Sequence, residues 1–195
     1  PEEPACGYAE AMLAANLDLH VPFLWTVDGL LSAAECAEQI ARIESLGPET
    51  ATINVRGGPI LDPGTRNNDR VIFDDVEIAS RLFARVREHL PARMLGKVPV
   101  GANERFRGYR YRVGQRFAPH YDGSFQRSPR ERSLLTFMVY LNDDFEGGET
   151  DFLELRQTVK PRAGQALLFQ HFLLHEGCVL KQGTKVKSIR LVGDR

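Results

Sequence analysis

His120 and Asp122 stand two residues apart, so on an extended backbone an imidazole and a carboxylate leave from one face of the chain. Such a pair can meet one metal ion. A third ligand has to come from further along, and the best candidate is His175, which ends the apolar run 166–174 and precedes Glu176 and Gly177. Two histidines and one carboxylate hold a non-haem Fe(II) facially and leave positions open for dioxygen and a second small ligand. A His-x-Asp pair alone arises by chance in many chains. This one gains weight from the distal histidine and from Lys185, ten residues beyond it and preceded by Gly183 and Thr184. A turn and a returning strand of that length bring an ammonium back near the metal, where a dicarboxylate could bridge the two. Lysines are mostly exposed, so the assignment rests on this company. His20, His89 and His171 lack such company and read as packed or surface residues.

The elements that must position these groups are mostly strands. From Phe106 onward, β-patterned runs occupy 106–113, 133–141, 150–153, 158–160, 166–169 and 185–192, separated by Gly114, residues 142–144, Gly147, Gly148, Pro161 and Gly164. Short strands broken by such turns predict a double-sheet jelly roll, whose mouth can house a metal. Upstream, 21–27 reads as a strand. Ser32 and Glu35 have the spacing of a capping box, and Leu31, Cys36, Ile40 and Ile43 recur at helical intervals until Gly47 and Pro48. A strand over 51–55, a Gly/Pro-rich stretch and the polar cluster Arg66, Asn67, Asn68, Asp69 and Arg70 follow. That cluster reads either as a solvated turn or as a rim facing substrate. Asp75 can cap a second helix lined by Val76, Ala79, Leu82, Phe83, Val86 and Leu90 and stopped by Pro91. Residues 1–18 are an irregular or helical lead-in. The expected fold is mainly β with supporting helices (α+β), one domain over 1–195. Residues 1–100 supply helical support and a lid over 56–70, and residues 101–195 supply the jelly-roll core.

Composition narrows the function classes. The chain has 195 residues, with 25 basic and 26 acidic side chains and a formal charge of -1. That balance gives no electrostatic reason to expect nucleic acid or an anionic membrane as partner. Cys6, Cys36 and Cys178 form no C-x-x-C pair, which argues against a thiolate zinc site or a disulfide framework and fits a reducing, cytoplasmic setting. No secretory signal or apolar stretch of membrane-spanning length is visible.

The residues quoted so far, taken with Tyr109-Arg110-Tyr111-Arg112-Val113-Gly114, His120-Tyr121-Asp122-Gly123, Arg132-Ser133-Leu134-Leu135-Thr136, Tyr140-Leu141-Asn142-Asp143, Gly147-Gly148-Glu149-Thr150, His175-Glu176-Gly177 and Gly183-Thr184-Lys185, resemble the 2-oxoglutarate and Fe(II)-dependent dioxygenases of the prolyl 4-hydroxylase-like branch. The motifs occur in family order over residues 103–185. The resemblance implies a double-stranded β-helix, cupin-like in outline. It implies Fe(II) on His120, Asp122 and His175, and 2-oxoglutarate held by Lys185 with help from Tyr111 and Thr150. It further implies O2 as co-substrate, ascorbate as an auxiliary reductant, and hydroxylation of an unactivated C–H bond of a small molecule, free amino acid or peptidyl residue. Asp122 implies hydroxylation over halogenation, since halogenases of the family carry a small residue there. The sequence departs from the family after Lys185, where an aromatic residue and an Arg-x-Asp-x-x-Tyr ending are usual. Lys187 shares the face of Lys185 and is an alternative carboxylate anchor, with Arg190 third. Arg105, Arg107, Arg110, Arg112 and Arg116 crowd the strand before the metal motif, and Arg66, Arg70, Arg107 and Arg110 are candidate substrate contacts. The same arginines also fit a charged outer sheet face. A cupin-type metal protein that makes no use of 2-oxoglutarate is the competing reading.

Overall fold

The structure, a computed structural model, describes residues 17–194, without the side chains of 189–192 and 194. Residues 1–16 of the expected lead-in, Cys6 among them, and the Arg190 side chain lie outside those described residues. In chain order the strands are β1 (Leu24–Val27), β2 (Glu49–Thr50), β3 (Ile53–Val55), β4 (Gly58–Ile60), β5 (Asp69–Asp74), β6 (Pro99–Ala102), β7 (Arg105–Tyr111), β8 (Phe117–His120), β9 (Gln126–Ser128), β10 (Glu131–Tyr140), β11 (Glu146–Gly147), β12 (Thr150–Phe152), β13 (Gln157–Val159), β14 (Ala166–Gln170), β15 (His175–Gly177), β16 (Leu180–Gln182) and β17 (Lys185–Asp194). Helix α1 (Ala33–Ser45) lies between β1 and β2, and α2 (Val76–Val86) between β5 and β6.

Residues 133–140 of β10 are buried without a break, the mark of a strand covered on both faces. Strand alternation assigns the two sides. Leu135, Phe137 and Val139 join Ile43, Ile78, Leu82 and Val86 from the helices in one apolar cluster, with Val71, Phe106, Leu168 and Val186. Met138 and Tyr140 point the other way and pack with Phe152, Val159, Leu167, Phe169 and Leu173. The major sheet has the order β1-β14-β10-β17-β7-β5-β2, with β6 added beside β17 and β9 beside β10, while β13-β12-β15-β8 form the minor sheet. The two sheets enclose the second cluster, and the helices close the outer face of the major sheet. This is the mainly-β, jelly-roll architecture expected from the turn spacing.

Both helices start where their caps predict. The Ser32 hydroxyl accepts from the Glu35 backbone N–H while the Glu35 carboxylate accepts from the Ser32 N–H, and Asp75 accepts from the Ile78 N–H. The second helix stops at Val86 and tightens into a 3-10 turn over Arg87–His89, short of Pro91. Glycine at 108 lets α1 lie close on β7: a Cβ there would sit 2.6 Å from Ile43 Cγ1. The division at residue 100 needs correction, because β1, β2 and β5 are integral to the major sheet. The first hundred residues therefore build the core as well as cover it. No described helix is long and apolar enough to cross a membrane.

The expected lid also changes. Residues 53–60 form the β3–β4 hairpin, and Asp62 caps a turn by accepting from the Gly64 and Thr65 N–H groups. From Arg66 onward the segment is fixed: Arg66 is 4% exposed, Asn68 is fully buried, and Asp69 and Arg70 enter β5. The polar cluster is thus not a solvated turn. Only 53–65 is free to behave as a cover.

Candidate active site

The minor sheet brings the three proposed metal ligands together. His175 in β15 pairs directly with His120 at the end of β8, and Asp122 follows two residues beyond that strand's end. One ligand atom from each of the three residues lies within 4.8 Å of the others. His120 and His175 each place Nδ1 on a backbone carbonyl, of Ala118 at 2.8 Å and Leu173 at 2.9 Å. Nδ1–H is the donor in both contacts, so both Nε2 lone pairs are free to face a metal. Burial, with His175 beside it, lowers the His120 pKa to about 4, and burial lowers that of His175 as well. Burial alone would raise the Asp122 carboxyl, but His175, His120 and the Thr136 hydroxyl outweigh it and hold it below the usual carboxylate range. The set therefore presents two neutral imidazoles and a carboxylate, the donor chemistry that suits Fe(II).

Behind Asp122 runs a hydrogen-bonded chain that sequence reasoning missed. The Thr136 hydroxyl donates to Asp122 Oδ2 at 2.6 Å. Its oxygen is then left to accept from His171 Nδ1–H at 3.0 Å, and His171 Nε2 accepts from the Ser133 hydroxyl at 2.9 Å. His171 is 1% exposed and its pKa is pushed down to about 4 by burial. One signal was available: Ser133 and Thr136 sit in a motif already singled out, within an otherwise apolar strand.

A cavity of about 580 Å³ opens onto the triad. Its minor-sheet side carries His120, Asp122, His175, Thr150 and Gly177, and its major-sheet side carries Arg70, Arg107, Tyr109, Met138, Phe169 and Lys187. Thr52, Ile53, Asn54 and Thr65 from the hairpin region line its mouth. Arg66 reaches in from between two aromatic rings, its guanidinium 4.2 Å from Phe117 and 4.5 Å from Tyr109. Phe117 in turn stacks on His120 with ring centres 3.5 Å apart.

The structure separates the candidate arginines and lysines. Arg107 and Arg70 face the cavity, as does Arg66. Arg110 does not: one residue out of phase with Tyr109 and Tyr111, it lies on the helix side of β7, bound to Glu44 and to Asp69 at 3.0 Å. Its role as a substrate contact is therefore withdrawn; it ties α1 to β5. Lys185 pairs across strands with Tyr111 and Lys187 with Tyr109. Lys187 lines the cavity, whereas Lys185 sits just behind, donating to the Gly148 carbonyl with its Nζ 5.2 Å from the Tyr111 ring. Burial pushes the Lys185 pKa down to about 8, and burial, with Lys185 and Arg66 nearby, holds that of Lys187 well below the usual lysine range. The buried Tyr111 hydroxyl has no hydrogen-bond partner among the described residues. Thr150 Oγ1 is 2.7 Å from the Tyr140 hydroxyl.

Comparison with known proteins gives a consistent set of likenesses. The 2OG-Fe(II) oxygenase superfamily profile matches residues 106–191. Prolyl 4-hydroxylase 1 of Arabidopsis thaliana is 24% identical over 189 residues, covering 84% of this chain and 66% of that protein. Probable prolyl 4-hydroxylase 11 of the same plant is 39% identical over 79 residues, 37% of this chain and 26% of that one. The match to Probable prolyl 4-hydroxylase 10 spans 43% of its length. The viral collagen prolyl hydroxylase of Paramecium Bursaria Chlorella virus-1, solved as its 2OG complex, superposes with a TM-score of 0.63 at 25% identity, over 89% of this chain and 97% of that one. A Pseudomonas putida prolyl-4-hydroxylase shares the fold, with a TM-score of 0.62 at 18% identity over 93% of this chain and 98% of that one.

Proposed function

This chain belongs to the 2OG-Fe(II) oxygenase superfamily, and from that premise we propose that it hydroxylates a prolyl residue or a prolyl-like amino acid at the cost of 2-oxoglutarate. The observation that carries the reading is the convergence of His120, Asp122 and His175 in a cavity, with the buried Tyr111 hydroxyl, unpartnered among the described residues, next to Gly177 of the cavity lining. A buried donor without an acceptor is costly, and a carboxylate placed there would supply one. The prolyl substrate is suggested by the relatives named above.

The residues divide the work. His120, Asp122 and His175 would hold Fe(II), and the distal carboxylate of 2-oxoglutarate would sit among Tyr111, Thr150 and Lys185. Lys185 spends one of three N–H donors on Gly148 and keeps two for that carboxylate. When bound, iron, 2-oxoglutarate and dioxygen supply the oxidising chemistry: one oxygen atom ends in succinate, released with carbon dioxide, and the other in the new hydroxyl. Thr136 keeps one Asp122 oxygen occupied, which fixes the carboxylate's orientation. Phe117, Met138 and Phe169 make the surrounding wall apolar and limit water around the reacting carbon.

The test is anaerobic titration of the Fe(II) protein with 2-oxoglutarate, watching for the visible band of the iron chelate, followed by succinate release on admitting oxygen. Wild type should show both, and Asp122→Ala neither. Metal binding without chelation or succinate would instead indicate a cupin-type protein.

A further inference from the structure

Tyr109 sits at the centre of a cross-strand row on the inner face of the major sheet, with Arg70 opposite it in β5 and Lys187 opposite it in β17. Arg107 lies two residues back on the same strand and face, and the Arg66 guanidinium covers the Tyr109 ring. Three guanidinium groups and the Lys187 amine therefore surround one tyrosine. Among the described residues, those lining the cavity contribute one carboxylate, Asp122, which belongs to the triad. Asp69, the nearest acidic neighbour in β5, faces the opposite side and is taken by Arg110 and Arg112.

The cations are held by neutral partners. Arg66 Nε donates to Asn68 Oδ1 at 2.8 Å, leaving its buried Nη2 with no acceptor among the described residues. Arg70 donates to the Thr52 hydroxyl and carbonyl. Neither Arg107 nor Lys187 forms an ion pair among the described residues. Gathering like charges at low dielectric without a counter-charge is unfavourable, and burial together with Arg66 and Arg107 nearby already lowers the Arg70 pKa. Fe(II) and the 2-oxoglutarate dianion do not resolve this, because their charges cancel and three guanidinium groups with Lys187 still face one carboxylate.

Resting on the oxygenase reading above, we propose that Arg66, Arg70, Arg107 and Lys187 form a subsite for an oxyanion carried by the substrate itself, beside the carbon that is hydroxylated. A carboxylate fits the forked guanidinium donors. Its source is either the free carboxylate of the prolyl amino acid or an acidic residue adjoining a peptidyl proline. The subsite excludes a neutral prolyl segment as the preferred substrate.

Calorimetry on protein loaded with Zn(II) and 2-oxoglutarate, where no turnover occurs, tests this with two matched pairs. One pair is L-proline and L-prolinamide; the other is N-acetyl-Pro-Asp-amide and N-acetyl-Pro-Asn-amide. In at least one pair the acid should bind at least about tenfold more tightly than its neutral partner, the scale of one charge-assisted contact. The pair that responds identifies the source of the carboxylate. Arg70→Gln/Arg107→Gln should erase the preference while moving the 2-oxoglutarate dissociation constant less than about threefold, and Arg107→Lys should keep part of it. Equal binding of acid and amide in both pairs would overturn the proposal, as would a preference that survives the double substitution. A double variant that loses 2-oxoglutarate affinity but keeps the acid preference would overturn it too, reassigning the cations to the co-substrate. Failure of wild type to bind 2-oxoglutarate would instead sink the oxygenase reading, and the proposal with it.

Discussion

Thr136→Val is the most informative single change in the layer behind the triad, because it removes one hydroxyl and little volume. In the wild type that hydroxyl donates to Asp122 Oδ2 at 2.6 Å and accepts from His171. Two consequences follow from one deletion. The carboxylate loses a charge-assisted hydrogen bond, a contact worth roughly 1.5–3 kcal/mol, which corresponds to about 10- to 100-fold in metal affinity. His171 Nδ1–H loses its acceptor in a buried setting, which costs about 1–3 kcal/mol of stability. Competition of the apoprotein with a coloured chelator for Co(II) reads the first effect, and denaturant unfolding without metal reads the second. Thr136→Ser should recover most of both. If Thr136→Val kept metal affinity within about twofold of wild type while its stability fell, the chain from Ser133 to Asp122 would be a packing device, and the orienting role argued for it would be wrong.

Other outcomes are expected. Asp122→Ala and His175→Ala should each lose tight Fe(II) binding, measured by metal content after dialysis; retention in both would refute the ligand set. Lys185→Ala should weaken 2-oxoglutarate by on the order of 10- to 100-fold for one lost charge-assisted contact, read from the anaerobic chelate band, and an unchanged value with a large loss in Lys187→Ala would transfer the anchor two residues along. His171 binds its proton less readily when folded (pKa about 4) than when unfolded (about 6.5). Its stabilising contribution is therefore complete above about pH 6.5 and lost as pH falls toward 4, up to about 3 kcal/mol. Unfolding curves at pH 7, 5 and 4 should show a shallower pH dependence in His171→Gln. Gly108→Ala should cost about 1–3 kcal/mol by overpacking against Ile43, which thermal melting would detect. Hydrogen exchange with Zn(II) and 2-oxoglutarate bound should slow across 53–65 on adding substrate and stay unchanged at 66–70; equal rates throughout would leave the hairpin as an ordinary surface loop.

The metal triad was legible in the sequence because it depends on residue type and order, and both helix starts because Ser32, Glu35 and Asp75 encode their caps locally. The long strands were legible as well, since 133–140 and 166–170 are nearly unbroken apolar runs. What stayed hidden depended on register. Arg107 and Arg110 look equivalent in a list of basic residues, yet an odd spacing on a strand sends them to opposite faces. The ligand-bearing strands β8 and β15 have four and three residues, too short to announce themselves without partners. Arg66 and Asn68 resemble a solvated turn in composition, and only burial shows otherwise. His171 was passed over because its partners, Ser133 and Thr136, are distant in sequence and adjacent across the strands.

The two faces of the cavity are built from different parts of the chain, and that has a consequence for how this protein can change. The iron ligands belong to β8, its following loop and β15, while Arg70, Arg107 and Lys187 project from β5, β7 and β17 of the opposite sheet. On the subsite proposed above, a substitution at position 70 or 107 would alter which molecule is welcomed without touching a metal ligand or the chain that orients it. Selection, or a library randomised at positions 70 and 107, could therefore explore new substrates while the proposed iron and 2-oxoglutarate sites stay intact. On the proposed function, intermediates along such a path keep the metal triad, so retargeting need not dismantle it.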